Sequence, residues 1–528
     1  MAAVDLRFHE YRYFPYERRL ARLEVERLLG EDPKDIGDSL RAQTPNGVDL
    51  EVLRRLTYFQ SVTVADNDPV IPQQALLEAS ATKHDDPQRL RRQRTRYSAH
   101  GLHEYRGKFH PQMVRASVNL LGLDIGSRVW DPFCGSGTVL LEAMHQGFSA
   151  VGVDLNPLGV VIANSKLSAV RARPDSLRLA ADMVTDRVQA RSAWMTDEVP
   201  EECTIETELG KLWLNRFGCS EYLVRWFPIP VLAQFRIILD SIDEVVPVYL
   251  RSVFRMILSD IARGVSWQDP GDLRIRRRSN PESNYPAIDI FLATLQSRVA
   301  AIGAARRHVF PHRGWQRAFE GNSCDIQTLK RRAREFLDEG IDCVLSSPPY
   351  ATALPYIDTQ RLSIALLGLA TIQEIRGLDA ALVGSREVSI RERRALEEAI
   401  DENQADLSAE VWNLCKALVE AYDSEVDGFR RQNTPAVVYR YFAGMKQAMT
   451  SARKYLRNGG WLAFIVGPNR TTLGGETFVI DTPALLAATG EHIGLQVVEI
   501  HELNTYSRYD VHSRNSIRKE RLLVMKRP

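Results

Sequence analysis

The feature that most constrains this chain is a pair of short apolar runs joined by a glycine-rich loop and a helix-like stretch. The first run passes through DPFCGSGT (Asp131–Thr138) into VLLEAMHQG, where apolar residues recur with helical spacing. The second run, SAVGVDL (Ser149–Leu155), precedes another helix-like stretch. Strand–loop–helix–strand units of this length form parallel sheets with helices packed on their faces. The sequence therefore predicts an α/β fold.

Sheet-like runs return late in the chain, at IDCVLS, GGWLAFIVG, LQVVEI and RLLVMKRP. Between the early and the late runs the alternation stops, and the residues follow a mostly helical pattern. We therefore expect one α/β domain interrupted by a largely helical insertion. The expected regions are an N-terminal accessory region that is partly helical (1–97), the first part of the core with the glycine-rich loop (98–170), the insertion (171–317) and the second part of the core (318–528), which contains a helical segment at about 362–429.

The composition is that of an ordinary globular protein, with 44% hydrophobic and 26% charged residues and a net charge of +1. Without an overall positive field, a polyanionic partner has to be bound by local basic patches. The six cysteines form no CxxC pair, which predicts free thiols and no metal cluster. The N-terminus lacks a signal-peptide pattern, and no apolar stretch approaches the length of a membrane span. We therefore expect a cytoplasmic protein with no membrane segment and no metal.

The glycine-rich loop and the strand after it predict a nucleoside-type ligand. Gly135 and Gly137 carry no Cβ atom to keep a bound molecule away from the backbone, and the helix after them presents free N–H groups. The loop matches neither the phosphate-binding GK[ST] pattern nor the full GxGxxG fingerprint. Asp154, at the end of the second apolar run, can accept hydrogen bonds from both hydroxyls of a ribose. Taken alone, Asp154 is equally compatible with a helix cap.

The segment SSPPY follows the apolar run IDCVL. If that run is a parallel strand, SSPPY lies at its carboxyl end, the edge where open α/β sheets bind ligands. Pro348 and Pro349 restrict the backbone, so the carbonyl groups there are rigid acceptors. Such a carbonyl and the Ser347 hydroxyl can accept hydrogen bonds from an exocyclic amino group, and Tyr350 offers a face to a base swung out of its duplex. The alternative is a simple polyproline-like turn.

Together, DPFCGSGT, VGVDLNP and SSPPY resemble the AdoMet-binding and catalytic motifs of the amino-directed DNA methyltransferases, which make N4-methylcytosine or N6-methyladenine. HEYRGKFHP (His103–Pro111) resembles the motif that completes the AdoMet pocket in that family, and Arg440–Gly467 resembles its helix-then-strand continuation. The resemblance covers about residues 98–166 and 318–528. It implies a Rossmann-like AdoMet-dependent methyltransferase sheet and AdoMet as the cofactor.

The resemblance also implies roles for individual residues. Asp154 would bind the ribose of AdoMet, and Ser347–Tyr350 would hold the target base. Where the family often has an acid for the adenine ring, this sequence has Asn322 or Asp325, so that contact is open. The residues expected to contact AdoMet are Phe109, Pro111, Asp131, Phe133, Gly135, Gly137, Thr138, Asp154, Asn156 and Asn322.

The substrate is less constrained than the cofactor. The serine-led motif is similar to that of the cytosine-N4 enzymes, but the same acceptors suit the adenine N6 amino group. RNA amino-methyltransferases share the sheet and a related motif, and a protein that binds AdoMet and nucleic acid without transfer is the non-enzymatic alternative. No Pro-Cys dipeptide occurs, which argues against the covalent mechanism of the cytosine-C5 enzymes. We expect methyl transfer to DNA, with cytosine N4 favoured over adenine N6.

Contacts with double-stranded DNA are expected from the insertion, because the resemblance places the target-recognition region between the glycine-rich loop and SSPPY. An arginine cluster lies there between Trp267 and Tyr285, and arginines neutralise phosphates and read guanine edges. A solvated polar loop is the alternative. The basic run Arg89–Arg96 and the segment Thr505–Leu523 are further candidates. The cluster consists of Arg274, Arg276, Arg277 and Arg278.

The biological setting follows from the resemblance alone. It implies a bacterial modification or defence system, such as restriction-modification, with a cognate restriction or defence protein as a possible partner. The protein would then be cytoplasmic and associated with the nucleoid when bound to DNA.

Overall fold

A computed structural model describes residues 2–528 of the protein apart from 45–48, 66, 82–92, 194–219, 270, 272–275, 283, 311–313, 326, 352–356, 429–430 and 505–518. In chain order, the strands are β1 (Ala2–Phe8), β2 (Lys34–Asp35), β3 (Ser39–Thr44), β4 (Phe59–Val64), β5 (Arg128–Asp131), β6 (Ser149–Asp154), β7 (Gln316–Glu320), β8 (Ile341–Ser346), β9 (Leu456–Val466), β10 (Asn469–Leu473), β11 (Glu476–Ile480), β12 (Gln496–Asn504) and β13 (Lys519–Lys526).

The helices begin and end where the local sequence favours it. Several open with a proline, since proline lacks the N–H that the first turn leaves unpaired, and the first helix ends at Gly30 with a left-handed φ of 74°. In chain order, the helices are α1 (Pro15–Leu29), α2 (Leu50–Arg55), α3 (Gln73–Ala79), α4 (Pro111–Leu120), α5 (Thr138–Gln146), α6 (Pro157–Arg171), α7 (Pro174–Ser192), α8 (Ser220–Val224), α9 (Ile229–Val245), α10 (Val248–Ala262), α11 (Ala287–Arg306), α12 (Gln327–Arg332), α13 (Arg334–Asp338), α14 (Arg361–Leu366), α15 (Ile372–Ala381), α16 (Ile390–Asp401), α17 (Ala409–Ala421), α18 (Thr434–Tyr455) and α19 (Thr482–His492).

The central sheet has seven strands in the order β7-β6-β5-β8-β9-β13-β12. The first five of these are parallel, whereas β13 pairs antiparallel with both β9 and β12. The chain moves outward from β5 to β6 and β7, and it then returns to β8 on the other side of β5. The order therefore reverses between β5 and β8, which is where open α/β sheets bind ligands. The predicted Rossmann-like α/β sheet is confirmed.

The helices α7 to α11 occupy the region predicted as a helical insertion. Phe235, Phe254 and Phe291 on these helices are fully buried, and they belong to the same hydrophobic cluster as Val129 of β5. α10 packs along α6, and α7 packs along α9 and α11. The described part of the insertion therefore shares a core with the sheet.

Among the described helices, α11 is long and apolar enough to cross a membrane by length and composition. In this structure it packs along α7 and α10, with Phe291 and Leu295 fully buried. Its apolar side chains thus contribute to the protein core.

A four-stranded antiparallel sheet in the order β2-β3-β1-β4 precedes the core. The sequence predicts only a partly helical accessory region here, so this sheet is an addition to that expectation. The buried Glu24 of α1 accepts hydrogen bonds from Thr57 Oγ1 at 2.6 Å and from Asn119 Nδ2 of α4 at 2.5 Å. This carboxylate joins the N-terminal sheet to the helix that leads into the core.

The second half of the core carries two additions at the carboxyl end of its strands. Helices α14 to α17 follow the SSPPY segment, in the stretch predicted to be helical. The hairpin β10–β11 follows β9, and its tip is held because Gly474 N donates to Asp427 Oδ2 at 2.7 Å. Both additions therefore lie beside the loop that follows β8.

Candidate cofactor and target-base site

The glycine-rich loop and SSPPY leave the sheet from neighbouring strands at the same edge. β5 and β8 are parallel and in register at Val129↔Cys343 and Trp130↔Val344. At their carboxyl ends, the Ser346 hydroxyl donates a hydrogen bond of 2.6 Å to Asp131 Oδ1, and both residues are buried. Two segments 215 residues apart in the chain are thereby brought into direct contact at the reversal point of the sheet.

The glycine-rich loop depends on its glycines for shape and for packing. Gly135 and Gly137 have φ values of 45° and 72°, in the left-handed region. A Cβ atom on Gly137 would lie 2.5 Å from the Cβ of Ala163 on α6, and one on Gly135 would lie 3.1 Å from the Tyr105 ring. The loop therefore packs tightly against α6 on one side and against the Tyr105 ring on the other.

Asp154 lies at the end of β6, next to the glycine-rich loop. Its Oδ2 accepts a hydrogen bond from Gly135 N at 2.7 Å, and its Oδ1 accepts one from Asn156 N at 2.8 Å. Burial raises the pKa of this carboxyl to about 6, and the two backbone donors act in the opposite direction. Each carboxylate oxygen still has acceptor capacity left, which suits the two hydroxyls of a ribose.

Asp131 organises the start of the same loop. Besides the bond from Ser346, its Oδ1 accepts one from Phe133 N at 3.1 Å. Burial raises the pKa of Asp131 to about 7, and these hydrogen bonds oppose the shift. Phe133 is half-buried, and Thr138 is buried as the first residue of α5. Asp131 therefore links the cofactor loop to the end of the SSPPY strand.

The segment His103–Pro111 forms the wall of a cavity of about 270 Å³. Tyr105, Lys108, Phe109 and Pro111 are among its lining residues. The Lys108 amine donates to the carbonyls of Thr95 and His100, each at 3.2 Å. Phe109 and Pro111 line this cavity, and Tyr105 of the same segment lies against Gly135 of the glycine-rich loop.

Glu142 of α5 is a buried carboxylate that contacts residues just before this segment, and no local motif predicts it. Glu142 Oε1 accepts a hydrogen bond from the Tyr97 hydroxyl and lies 2.8 Å from His100 Nε2. Burial by itself would raise the pKa of Glu142, but the charges of Arg115 and His145 hold it well below its usual value. Glu142 thus connects α5 to Tyr97 and His100, which precede the segment His103–Pro111.

His100, Glu142 and His145 also lie close enough together to hold a metal ion. The Arg115 guanidinium, however, donates to Glu142 Oε2 at 3.1 and 3.2 Å, and Tyr97 occupies the other oxygen. A cation would have to enter beside this buried guanidinium.

The loop after β7 lies beside Asp154. Gly321 N donates to the Asp154 carbonyl at 3.0 Å, and the Ser323 hydroxyl donates to the Pro132 carbonyl. Asn322 lies between these anchors, and its Oδ1 accepts from Cys324 N at 2.9 Å. Asp325 instead accepts from Gln327 N at 3.0 Å. Of the two residues considered for the adenine ring, Asn322 is the one flanked by contacts to the cofactor loop and to Asp154.

Asn156 connects the cofactor side of the site to the chain after SSPPY. Its Oδ1 caps α6 by accepting from Leu158 N at 3.1 Å. Its Nδ2 donates to Gln360 Oε1 at 2.5 Å. Asn156 therefore links the end of β6 to the segment that follows SSPPY.

The SSPPY segment is anchored on the side away from the glycine-rich loop. Pro348 is buried, whereas Ser347, Pro349 and Tyr350 are half-buried. The Tyr350 hydroxyl donates to Glu520 Oε1 at 2.5 Å. One residue further on, the Ala351 carbonyl accepts from the Asn469 side chain of β10. The segment is therefore held from both sides, by Asp131 through Ser346 and by the strands beyond β9.

The arginine cluster of the insertion is only partly available for DNA. Arg274 lies outside the described residues. Arg278 donates to the carbonyls of Gln268 and Gly264, and its guanidinium lies 5.2 Å from the Tyr285 ring centre. This side chain therefore stabilises its own loop.

The other two arginines are exposed. The Arg277 guanidinium lies 4.9 Å from the centre of the Trp267 ring and donates a hydrogen bond to the Arg225 carbonyl. Arg276 and Arg277 are both exposed. The loop begins just after Asp260, whose Oδ1 accepts a hydrogen bond of 2.6 Å from Glu104 N on the pocket wall. The segments 89–92 and 505–518, which hold much of the two other basic candidates, lie outside the described residues.

The residues present fit AdoMet as a ligand. The left-handed Gly135 and Gly137 keep the loop free of side chains, and Asp154 offers acceptors for a ribose. The Ser136 hydroxyl, between the two glycines, is buried without a hydrogen-bond partner among the described residues. A polar ligand above the loop would supply that partner, since buried polar groups are normally hydrogen-bonded.

Known proteins resemble this chain in the same regions. The family described as UPF0020: RMKL-like, methyltransferase domain, matches residues 102–184. The type II methyltransferase M.MvaI of Kocuria varians is 24% identical over 307 residues, 55% of this chain and 63% of that protein. M.AvaI of Nostoc sp. is 24% identical over 429 residues, 74% of this chain and 79% of the relative. A tRNA (guanine(10)-N2)-dimethyltransferase of Methanothermobacter thermautotrophicus is 44% identical over 52 residues, 10% of this chain and 16% of the relative.

The matches agree with the site geometry. The chain spans less than two thirds of the length of M.MvaI. The family match, by contrast, contains the pocket wall, the glycine-rich loop and Asp154, which together form the cofactor half of the site. With the Rossmann-like sheet around it, this half identifies AdoMet as the methyl donor. In the regions that form this site, the chain is therefore similar to AdoMet-dependent methyltransferases.

Proposed function

We propose that this protein transfers a methyl group from AdoMet to the exocyclic amino nitrogen of a base extruded from double-stranded DNA, with cytosine N4 favoured over adenine N6. The observation that carries the proposal is the hydrogen bond between Ser346 and Asp131. It joins the end of the SSPPY strand to the start of the cofactor loop. A base held by SSPPY would therefore lie beside a cofactor held by the glycine-rich loop.

The chemistry asks little of the protein besides alignment. AdoMet supplies an electrophilic methyl group when bound. The lone pair of an aromatic amino group is delocalised into the ring, so the nitrogen is a weak nucleophile. The Ser347 hydroxyl oxygen and the Pro348 carbonyl oxygen accept hydrogen bonds from the two N–H groups of this nitrogen. This favours a pyramidal nitrogen with its lone pair directed at the methyl group. Tyr350 stacks on the base. Ser347 serves as an acceptor and not as a general base. The new C–N bond would form as the bond between sulfur and the methyl carbon breaks, S-adenosylhomocysteine would leave as a neutral thioether, and the methylated nitrogen would release its extra proton to water.

DNA is favoured over RNA by the extent of the similarity. M.MvaI and M.AvaI, both named type II methyltransferases, match over 307 and 429 residues, whereas the tRNA enzyme matches over 52. The exposed Arg276 and Arg277 lie in the insertion, where a DNA methyltransferase of this motif order would recognise its target. We infer that the protein acts in the cytoplasm of a bacterium within a modification or defence system, with a cognate protein as partner.

Two measurements test the substrate. Transfer of a tritiated methyl group to duplex DNA and to structured RNA of matched length separates the DNA enzyme from an RNA amino-methyltransferase. We expect incorporation into DNA only. Incorporation into RNA alone would replace the proposal with the RNA alternative, and AdoMet binding without any transfer would favour a sensor.

Nucleoside mass spectrometry of the methylated DNA then identifies the base and the position. We expect N4-methylcytosine. N6-methyladenine would overturn the preference for cytosine and leave the rest of the proposal unchanged, because the same two acceptors suit either amino group.

A further inference from the structure

The carboxylate that accepts the Tyr350 hydrogen bond comes from a distant part of the chain. Glu520 is the second residue of β13, and its Oε1 lies 2.5 Å from the Tyr350 hydroxyl across 170 residues of sequence. Its neighbour Arg521 is in register with Val466, the last residue of β9. Glu520 therefore lies at the carboxyl edge of the sheet, on the opposite side of β8 from the glycine-rich loop.

The position of this carboxylate is defined by its surroundings. Arg521, the next residue, forms a two-bond ion pair with Asp481 at 2.8 and 2.9 Å, which anchors the start of β13. Burial is the main cause that raises the pKa of the Tyr16 phenol in the N-terminal region, and the charges of Glu17 and Glu520 add to it. Glu520 itself is half-buried.

A hydrogen bond at the far end of a tyrosine restricts the whole side chain. The ring has two rotatable bonds, and an anchored hydroxyl limits both of them. Hydrogen bonds from a phenol to a carboxylate are charge-assisted and stronger than neutral ones. A ring that is oriented before its ligand arrives does not lose that conformational freedom on binding. The contact therefore prepares the face on which a base can stack.

We propose that Glu520 is a positioning residue for the target base: its carboxylate holds the Tyr350 ring in the orientation that receives the extruded base. Glu520 itself does not touch the base or the cofactor. This inference rests on the proposed function, and it adds a residue from the last strand of the sheet to the target-base pocket.

The test compares Glu520→Ala, Glu520→Gln, Tyr350→Phe and the double variant Glu520→Ala/Tyr350→Phe in the full-length protein. Base extrusion is followed by the fluorescence of 2-aminopurine placed at the target position of a duplex that the wild-type protein methylates. Single-turnover methylation and AdoMet affinity are measured in parallel. Fluorescence reports the extruded base directly, so a change confined to protein stability would leave it unaltered.

We expect Glu520→Ala to lower the single-turnover rate about tenfold, the effect of losing one charge-assisted hydrogen bond. The 2-aminopurine signal should fall with it, while AdoMet affinity stays within about twofold of wild type. Glu520→Gln should be intermediate, because the amide oxygen still accepts. The double variant should match Tyr350→Phe, since both changes remove the same bond.

Glu502→Ala is the matched control, because Glu502 is an exposed carboxylate on β12 opposite Arg521 and away from Tyr350. It should behave as wild type. The inference is overturned if Glu520→Ala leaves the single-turnover rate and the fluorescence at wild-type values. It is also overturned if the rate loss of the double variant equals the product of the losses in the two single variants. A wild-type protein that methylates no DNA would instead mark failure of the proposed function, and the inference would fall with it.

Discussion

At the scale of single residues, the proposed function gives Asp154 and Ser347 different roles. Asp154 is held by two backbone N–H groups beside the glycine-rich loop, and Ser347 lies on the neighbouring segment after β8. In the proposed function, Asp154 binds AdoMet and Ser347 binds the target base. Changing one should alter binding of AdoMet, and changing the other should alter turnover.

Replacement of Ser347 with alanine should lower the single-turnover rate by roughly 10- to 100-fold, because an acceptor for the amino N–H is lost during transfer. AdoMet affinity, measured by calorimetry, should change little. Asp154→Ala should show the reverse, with AdoMet affinity weakened by roughly 10- to 100-fold through loss of the ribose acceptors. Asp182→Ala, which removes an exposed acid of α7, is the control. Equal effects of both changes on rate and affinity would contradict these roles.

The raised pKa of Asp154 makes AdoMet binding depend on pH. Since its folded-state pKa of about 6 lies above the usual 3.8, the folded free protein binds this proton more tightly than the unfolded chain. This group's contribution to stability therefore falls as pH rises from about 4 to about 6. The ionised form accepts the ribose hydroxyls, so AdoMet affinity should be about tenfold weaker at pH 5 than at pH 8. Calorimetry across this range should show the change, and Asp154→Asn should remove it.

At the scale of elements, the glycine-rich loop and helix α6 form one packed unit. Gly159 of α6 approaches the loop so closely that a Cβ there would lie 2.9 Å from the Gly135 carbonyl oxygen. A Cβ on Gly152 of β6 would lie 2.7 Å from the Cβ of Cys134. The cofactor loop is therefore shaped by strand, loop and helix together, and not by its own sequence alone.

Gly137→Ala should destabilise the protein by about 1–3 kcal/mol, because the new Cβ meets Ala163 at 2.5 Å and the backbone φ of 72° disfavours a side chain. AdoMet affinity should fall with it. Gly303→Ala is the matched control: Gly303 lies within α11, and no atom lies within 4 Å of an added Cβ. That change should be neutral or stabilising by up to about 1 kcal/mol. Urea unfolding of both variants measures the difference, and equal stability would show that the loop can relax.

For the whole molecule, the insertion and the N-terminal region both frame the carboxyl edge of the sheet. Asp260 of α10 contacts Glu104 of the pocket wall, and α8 and α10 pack against α14, the helix that follows SSPPY. The N-terminal region lies on the other side of the sheet, where α1 packs against β12.

Arg276→Ala and Arg277→Ala should each weaken DNA binding about equally for target and non-target duplexes, because phosphate contacts carry no sequence information. Each change should reduce the slope of log affinity against log salt by about 0.9 if one phosphate contact is lost. AdoMet affinity should be unaltered. Arg178→Ala on α7, whose partner is Asp175 in an exposed ion pair, is the control. Fluorescence anisotropy at several salt concentrations provides the measurement, and an unchanged slope would remove these residues from the interface.

The amino-acid sequence by itself determined the parallel sheet and the cofactor loop. Each core strand is a local run of apolar residues, and the glycines of Asp131–Thr138 are a local requirement of a left-handed backbone. Periodicity and turn chemistry are properties of neighbours along the chain, so they can be read without coordinates. The N-terminal sheet was not predicted because β1 and β3 alternate apolar with polar or charged residues and β2 has only two residues, so none of these is a continuous apolar run of the kind that marks the core strands.

Only the tertiary structure decided which distant side chains meet at the site. The contacts of Ser346 with Asp131, of Glu142 with Tyr97 and Arg115, and of Glu520 with Tyr350 join residues from 27 to 215 positions apart. No local pattern encodes such pairs, because a single buried carboxylate or hydroxyl has the same sequence context whatever it contacts. Their partners are selected by strand order and helix packing, which place the ends of separate elements together.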